Sequence, residues 1–427
     1  MQFIYRNKLI NRVLSCFILD KSKRRQFRAK YESLKNMNRI YYKYKIIYQA
    51  KIEHLKQAIK TRKLKVVFLC SETSKWNLQY LYNIMLKSNN FEPTLVLTAR
   101  PKYYTKDNFK HNAEFFKARC ENFEIGFNEK NQTGVDLKIF KPDIVFFQQP
   151  WDLLEKQDID YVSNFALTCY SPYPISEAPD ALAVNLQKFH FKLWKHFIFN
   201  EGVRKQYEKL FGYGKQNIVV VGHPKLDVYN ENKEQIFQKP CVIYAPHHAL
   251  NFSWIKYSTF DWNGIFMLEW AKKHPEINWV FKPHPDLKRA VWFNEKLMSK
   301  QEIENYYNEW AKIGLYYNDG DYFNLFKNSK CLITDCGSFL TEYLPTGNPV
   351  IHLRSKKATA YTDINCKIMP HYYQAWDLKQ LEKHLNNIVL NNFDPMKNER
   401  LKLIKMLGLD KTNASEKVLL EIKNALL

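Results

Sequence analysis

Four apolar runs in the second half of the chain end directly in residues that can handle a phosphate. Ile218-Val219-Val220-Val221 leads into Gly222-His223-Pro224-Lys225-Leu226-Asp227, and Val242-Ile243-Tyr244 into Ala245-Pro246-His247-His248. Trp279-Val280-Phe281 leads into Lys282-Pro283-His284-Pro285-Asp286, and Cys331-Leu332-Ile333-Thr334 into Asp335-Cys336-Gly337-Ser338. Short apolar runs bounded by Gly, Pro, Ser or Asp read as buried strands. In open α/β sheets, ligands bind outside the carboxyl ends of such strands. A helix beginning near Ser338 would bring free backbone N–H groups, the Ser338 hydroxyl and the positive helix end to one point, which suits phosphate. Asp335 and Glu342 are seven positions apart, about two helical turns, so both are expected to line one cleft.

Catalysis of phosphoryl transfer is mostly positioning and electrostatics. His284 and His248 are therefore the candidate catalytic residues. His284 would stabilise or protonate a departing phosphate, because an unperturbed imidazole titrates near pH ~6.5. Lys282, Gly337 and Ser338 are the expected phosphate cradle, and the family resemblance set out below implies that Asp335 and Glu342 would contact a nucleotide. In the first half, Ser71-Glu72-Thr73, Gln148-Gln149-Pro150-Trp151-Asp152 and Tyr170-Ser171-Pro172-Tyr173 follow strand-like runs. The family resemblance set out below implies an acceptor on this side, for which Glu72, Asp152 and Tyr173 are the candidates, with the two carboxylates as candidate bases.

The elements that position these residues alternate. Leu64 to Cys70, Thr94 to Thr98, Ile144 to Phe147, Phe165 to Cys169 and His196 to Phe199 read as strands, separated by helix-like stretches such as Asn77 to Ser88 and Lys106 to Cys120. A second series contains Ile218 to Val221, Val242 to Tyr244, Asn278 to Phe281, Cys331 to Thr334 and Val350 to Leu353. Ala181 to Lys195 and Arg400 to Leu427 read as helical. Alternation of this kind predicts parallel sheets. At 427 residues the chain exceeds one core. The reading is a basic helical extension over 1–63, a first Rossmann-like domain over 64–200, a second over 201–395, and C-terminal helices over 396–427 that pack back.

The motifs GHPKLD, YAPHH, FKPHPD and TDCGSFLTEYLPTGNPVI, preceded by Phe211-Gly212-Tyr213-Gly214, together resemble those of the CDP-glycerol glycerophosphotransferase family, which builds teichoic-acid-like polymers. The resemblance covers about Phe197 to Leu353. It implies the GT-B fold, an α/β arrangement of two facing Rossmann-like domains. It also implies a CDP-activated polyol donor in the C-terminal domain, with His284 and the Ser338 turn near its pyrophosphate, and a glycan or lipid-linked acceptor. No tightly bound cofactor is expected, and the sequence leaves a role for a divalent metal open. The family's Trp-His-Gly-Thr-Pro loop has no counterpart: the nearest segment, Cys169-Tyr170-Ser171-Pro172-Tyr173-Pro174, lacks the histidine. Gly337 replaces the first serine of the family's pair and Lys225 an arginine. The alternatives are a glycosyltransferase of the same fold using a CMP- or UDP-sugar, and a non-catalytic assembly scaffold.

Eight cysteines without CxxC or zinc-ligand spacing read as buried cytosolic thiols. Hydrophobic residues at 45% with a negative mean hydropathy exclude a disordered chain, and no apolar run approaches the ~20 residues that span a bilayer. No secretory signal is recognised at the start. The formal charge of +22 is concentrated: Met1 to Lys65 holds nineteen Lys/Arg against three Asp/Glu, a local net of +16. Phe27, Tyr31, Leu34, Tyr41, Tyr48, Ile52, Leu55 and Ile59 form a heptad-like stripe in this segment. It reads as a helix packed on its own domain or paired as a coiled coil, or else as a peripheral anchor on an anionic membrane through residues 1–63. The anchor would make the protein cytoplasmic and peripheral on the inner membrane face. No RNA-binding or helix-turn-helix signature accompanies the basic residues, so nucleic acid is not an expected partner.

Overall fold

The computed structural model describes residues 21–175, 188–211, 217–231, 235, 237–250, 255–294, 296–318 and 322–427. The Gly212-Tyr213-Gly214 motif, the expected helix before residue 188, the first twenty residues, and the side chains of Phe27, Tyr31 and Leu34 lie outside what is described.

Two compact units account for the chain. The first takes in the described residues up to Tyr173, those from Lys188 to Lys225, and Asn413–Leu427; the second is chiefly Leu226–Thr412. The first unit carries β1 (Leu64–Cys70), β2 (Phe91–Leu97), β3 (Phe123–Ile125), a small antiparallel ladder of β4 (Phe127–Asn128) with β5 (Thr133–Gly134), then β6 (Ile144–Phe147), β7 (Leu167–Tyr170), β8 (Lys195–Ile198) and β9 (Ile218–Val220). Apart from the ladder these form one parallel sheet in the order β3-β2-β1-β6-β7-β8-β9. Its central strands are near-continuous Val, Phe, Leu and Ile because both faces are covered; in β1 every residue except Lys65 is buried.

The second unit carries β10 (Cys241–Ala245), β11 (Asn278–Phe281), β12 (Leu315–Tyr316), β13 (Ser329–Thr334), β14 (Val350–Leu353) and β15 (Tyr373–Ala375), all parallel in the order β12-β11-β10-β13-β14-β15. Its core packs Tyr244, Phe281 and Trp310 at ring separations of 5.0 to 5.9 Å.

The strand Ile218–Val220 departs from the expected arrangement. It was expected in the second sheet and instead pairs with β8 at the edge of the first. The C-terminal segment is two helices, Lys397–Met406 and Ala414–Leu426, broken where Gly408 takes a left-handed φ of 66°, which glycine adopts without a Cβ clash. The second of these helices belongs to the first unit, where Val418, Ile422 and Leu426 join a core containing Leu81 and Phe91.

The basic extension is a helix, Lys21–Ala58. From Tyr44 onward its apolar stripe is buried on the first unit: Tyr44, Tyr48, Leu55 and Ile59 enter the same core, while Met37, Ile40 and Tyr41 pack beside Phe191, Ile198 and Tyr207. Tyr48 places its hydroxyl 2.6 Å from the Thr168 hydroxyl and donates to the Lys192 carbonyl. Tyr44 donates to Asp160, and Arg62 pairs with Asp143 at 2.6 Å. At about 2 kcal/mol for each large apolar side chain withdrawn from water, this burial explains why the stripe faces protein. That portion of the stripe is therefore not available to lipid. Among the described residues no helix is long and apolar enough to cross a membrane.

Candidate functional site

In the second unit the strand order reverses between β10 and β13, the place where open parallel sheets leave a crevice for ligand. His247 and His248 follow β10, His284 follows β11 and the Asp335–Ser338 turn follows β13. Three imidazoles meet there: ring centroids lie 3.9 Å apart for His248 and His284, 4.4 Å for His247 and His248, and 5.0 Å for His247 and His284. Their ring nitrogens lie within 4.8 Å of one another. Expectation put His284 and His248 at the site; His247, the first of the pair after β10, completes it.

The protonation state follows from the backbone. Nδ1 of His247 accepts from the Ala249 N–H at 3.1 Å, and Nδ1 of His284 accepts from the Asp286 N–H at 3.1 Å. A neutral ring that accepts at Nδ1 carries its proton on Nε2. Burial pushes His284 down to about 3, with His248 and Lys282 adding to the effect. Burial and the two neighbouring histidines hold His247 well below the usual range, and burial lowers His248 as well. At neutral pH the rings are uncharged, and His247 and His284 present Nε2–H donors. A metal ion would need the opposite tautomer, normally fixed by an Nδ1–H donating to an oxygen. The cluster is thus built to donate hydrogen bonds, which suits an anion. Nδ1 of His248 is enclosed and has no partner among the described residues.

Lys282 is buried, its ammonium 4.7 Å from the Tyr322 ring centroid and 6.0 Å from that of Phe339. The turn reaches the histidines through Tyr257, whose ring lies 6.2 Å from that of His247. A Cβ at position 337 would sit 3.0 Å from the Tyr257 ring, so Gly337 permits this approach. The helix spans Gly337–Tyr343 with Cys336, not Ser338, at the cap. Ser338 remains partly exposed, its hydroxyl 3.4 Å from the Cys336 sulfur.

Asp335 and Glu342 do not line a cleft as expected. Asp335 is fully buried and accepts from the His247 N–H at 2.6 Å, the Thr259 N–H at 2.6 Å and the Thr259 hydroxyl at 2.7 Å. Burial pushes its carboxyl up to about 6, opposed by those bonds. It ties the β10 and β13 loops together and thereby positions the histidines. Glu342 is buried and accepts from the Tyr322 hydroxyl, bracing the ring beside Lys282. Both carboxylates work inside the fold because an unpaired charge there would be costly.

In the first unit the strand order reverses between β1 and β6, and a second polar cluster stands there. Lys75 donates to Glu72 at 3.0 Å and to Gln149 at 2.8 Å. Arg100 donates to Glu72 at 2.8 Å and, through Nη2 and Nε, to Asp152 at 2.6 and 3.0 Å. Gln148 accepts from the Ser71 N–H at 2.8 Å and donates to the Glu72 carbonyl at 2.7 Å, fixing the β1 loop. Trp151 and Tyr173 meet edge to face at 6.5 Å, with the Lys75 ammonium about 6 Å from each ring. Glu72 and Asp152, the expected bases, are thus committed to ion pairs. Burial raises the Glu72 carboxyl, but Lys75 and Arg100 outweigh this and hold it below the usual range, which makes it a weaker base. Arg100 and Lys75 escaped sequence reasoning, although Arg100 shares the position of the other candidates, just past a strand end.

No protein-family model matches the chain, and no curated protein matches its sequence. Solved structures match its fold. A variant of the wall teichoic acid polymerase TagF has a TM-score of 0.54 at 14% identity, over 91% of this chain and 98% of that one. UDP-GlcNAc 2-epimerase from Neisseria meningitidis, bound to UDP-GlcNAc, has a TM-score of 0.53 at 14% identity, over 85% and 100%. MnaA of S. aureus with UDP has 0.52 at 13%, over 86% and 98%. At such identities the likeness is one of fold, the GT-B class with two Rossmann-like domains.

Proposed function

We propose that the protein is a transferase that moves a polyol phosphate, glycerol phosphate in the first instance, from a CDP-activated donor to a hydroxyl of a glycan or lipid-linked acceptor. The carrying observation is the strand-end cluster of the second unit, in which His247 and His284 present Nε2–H donors beside His248 and Lys282. In this reaction the acceptor oxygen forms a bond to the phosphorus bearing the polyol, and that phosphorus loses its bridging oxygen to CMP. The acceptor proton passes to a base still unassigned. Negative charge grows on the departing CMP, where fixed N–H donors and a buried ammonium act strongly. His284 is therefore the residue for charge stabilisation, with His248 beside it, Lys282 on the phosphate, and Gly337 and Ser338 completing the cradle. The product would enter a bacterial cell-surface polymer of the teichoic-acid or capsule type.

A second reading, a glycosyltransferase using a UDP- or CMP-sugar, is favoured by solved structures of the same fold that hold UDP or UDP-GlcNAc. A thermal-shift screen with CDP-glycerol, CDP-ribitol, CMP, UDP and CMP-sugars separates them, because a ligand that binds only the folded state raises the melting temperature. Stabilisation by CDP-polyols and CMP supports the first reading, and stabilisation confined to sugar nucleotides replaces it.

We further propose that the basic extension meets an anionic membrane on the cytoplasmic face. Its described outward face carries Tyr42 and Ile46, 53% and 71% exposed, with Arg39, Lys43 and Lys45 also exposed. Such a face suits anionic headgroups. Sedimentation with phosphatidylglycerol vesicles should fall for Tyr42→Ser/Ile46→Ser; unchanged binding removes the anchor.

A further inference from the structure

The polar cluster of the first unit has a charge balance that selects its ligand. Lys75 and Arg100 contribute two positive charges, and Glu72 and Asp152 two negative ones, all cross-linked at 2.6 to 3.0 Å. The group is neutral as a whole, so it offers no net attraction to a phosphate. An anion placed against it would meet two carboxylates at close range. Among the described residues, Oε2 of Glu72 and Oδ1 of Asp152 carry no hydrogen bond, each carboxylate using its other oxygen for the cations. Those oxygens are strong acceptors held rigidly in place.

The surroundings complete a binding site. The small recess beside the cluster, about 10 Å³ and lined by apolar as well as polar side chains such as Leu69, Ala99, Leu154, Gln148 and Gln157, has room for a water and not a sugar ring, so a ligand would lie against the exposed edge of the cluster. The partly exposed Trp151–Tyr173 pair stands near the Lys75 ammonium. Tyr103, 53% exposed, lies against the Arg100 guanidinium at 4.1 Å, with the Lys102 ammonium 5.5 Å from the same ring. The turn presenting Trp151 is fixed: the Gln149 amide donates to the Trp151 carbonyl at 2.8 Å, and Asp152 is held by Arg100 at a left-handed φ of 53°, a conformation that costs a non-glycine residue about 1 kcal/mol or more and persists only where the surroundings enforce it. Rigid aromatic faces next to carboxylate acceptors match a ligand with hydroxyls on one edge and C–H groups on its faces.

We infer that this cluster binds an uncharged sugar, so that the group presented for modification is a hydroxyl of a neutral glycan and not the end of a polyol-phosphate chain. Calling that sugar the acceptor rests on the transferase reading; the binding itself does not. The carboxylates accept from sugar hydroxyls, the Trp151 ring covers a sugar face, and the paired cations fix the carboxylates in place.

The test uses the full chain and saturation-transfer NMR, backed by calorimetry. Its probes are methyl glycosides of glucose, galactose and N-acetylglucosamine, a glycerol-phosphate oligomer, and CMP. At least one neutral glycoside is expected to bind with an affinity that changes less than about twofold between low and high salt, as befits an uncharged ligand. Trp151→Ala and Asp152→Asn should each weaken it about tenfold, a typical cost of losing a stacking face or a charged acceptor, with CMP binding unchanged. Asp152→Asn serves if Trp151→Ala does not fold. The inference is overturned if no neutral glycoside binds, if only the oligomer binds, or if the folded variants bind like the parent. CMP binding without glycoside binding removes the inference and leaves the transferase reading. Glycoside binding with no response to any nucleotide does the reverse.

Discussion

The two units place polar clusters at the same point of the same sheet architecture, where parallel strands reverse their order, yet they treat charge in opposite ways. In the second unit, carboxylates are withdrawn into the fold: Asp335 is spent on the His247 and Thr259 backbone, and Glu342 on Tyr322. What remains at the strand ends is N–H donors, a lysine and one carboxylate, Asp286, which is paired with Arg289 at 3.2 Å. In the first unit, two carboxylates stay at the strand ends and are tied to two cations. The topology fixes where a ligand can sit; the pairing of carboxylates decides its charge. On the proposed function, one cluster would meet the phosphates of a donor and the other the hydroxyls of an acceptor.

The largest expected effect would break this contrast at its second-unit side. His284→Ala should lower turnover of a CDP-activated donor by roughly 100- to 1,000-fold, the range for removing one preorganised donor, with the melting temperature nearly unchanged. Normal steady-state rates from a folded variant would remove His284 from the chemistry. Asp335→Asn tests whether that carboxylate is structural. Losing charge-assisted bonds to two backbone N–H groups and a hydroxyl should cost about 3 kcal/mol in urea unfolding, whereas a direct nucleotide ligand would show its loss in affinity at nearly full stability. Glu72→Gln sharpens the first-unit side: KM for the acceptor should rise about tenfold and KM for the donor should stay put. An effect on the donor alone would mean the two clusters have been assigned the wrong way round.

Acid sensitivity is the smallest of the four. Burial holds His284 and His352 down to about 3 against an ordinary 6.5, so between those values the unfolded chain binds more protons. The stability they contribute is full above about pH 6.5 and is lost as pH falls toward 3. Asp335, raised from 3.8 to about 6, works in the opposite sense, losing its contribution as pH rises through 6. Two larger histidine shifts outweigh one smaller carboxylate shift. Calorimetry should therefore show the melting temperature falling between about pH 7 and pH 5, and less so in His284→Asn. A melting temperature that climbs on acidification would mean that the histidines are charged in the fold.

Much of the architecture was legible where side chains are buried on both faces. Leu64–Cys70, Ile144–Phe147, Asn278–Phe281 and Val350–Leu353 stand where their apolar runs lie. Edge strands were not: Phe123–Ile125 and Leu315–Tyr316 are short and partly or fully exposed, so no apolar run announces them. Pro93 hid the start of β2, because a proline there reads as a breaker although it pairs in register with Val66. The histidines were legible as residues that follow strands; that three rings from two loops gather at one point was not. The first-unit cluster was legible only in fragments, since nothing local in a sequence says that Arg100 will reach both Glu72 and Asp152. The distinction between a carboxylate facing a ligand and one holding a loop, which misplaced Asp335 and Glu342, depends on burial and is invisible to spacing.

The last helix has a consequence for how the molecule is made. Ala414–Leu426 completes the core of the first unit, and Glu421 pairs with Lys195 there. The second unit, by contrast, is chiefly a single continuous stretch, Leu226–Thr412. A ribosome therefore finishes the second unit while the first still lacks Val418, Ile422 and Leu426 from its hydrophobic interior. The order of maturation runs against the order of synthesis: the half begun first is sealed only by residues made after the whole of the second unit. A nonsense mutation within Ala414–Leu426 would spare the second unit and leave the first open.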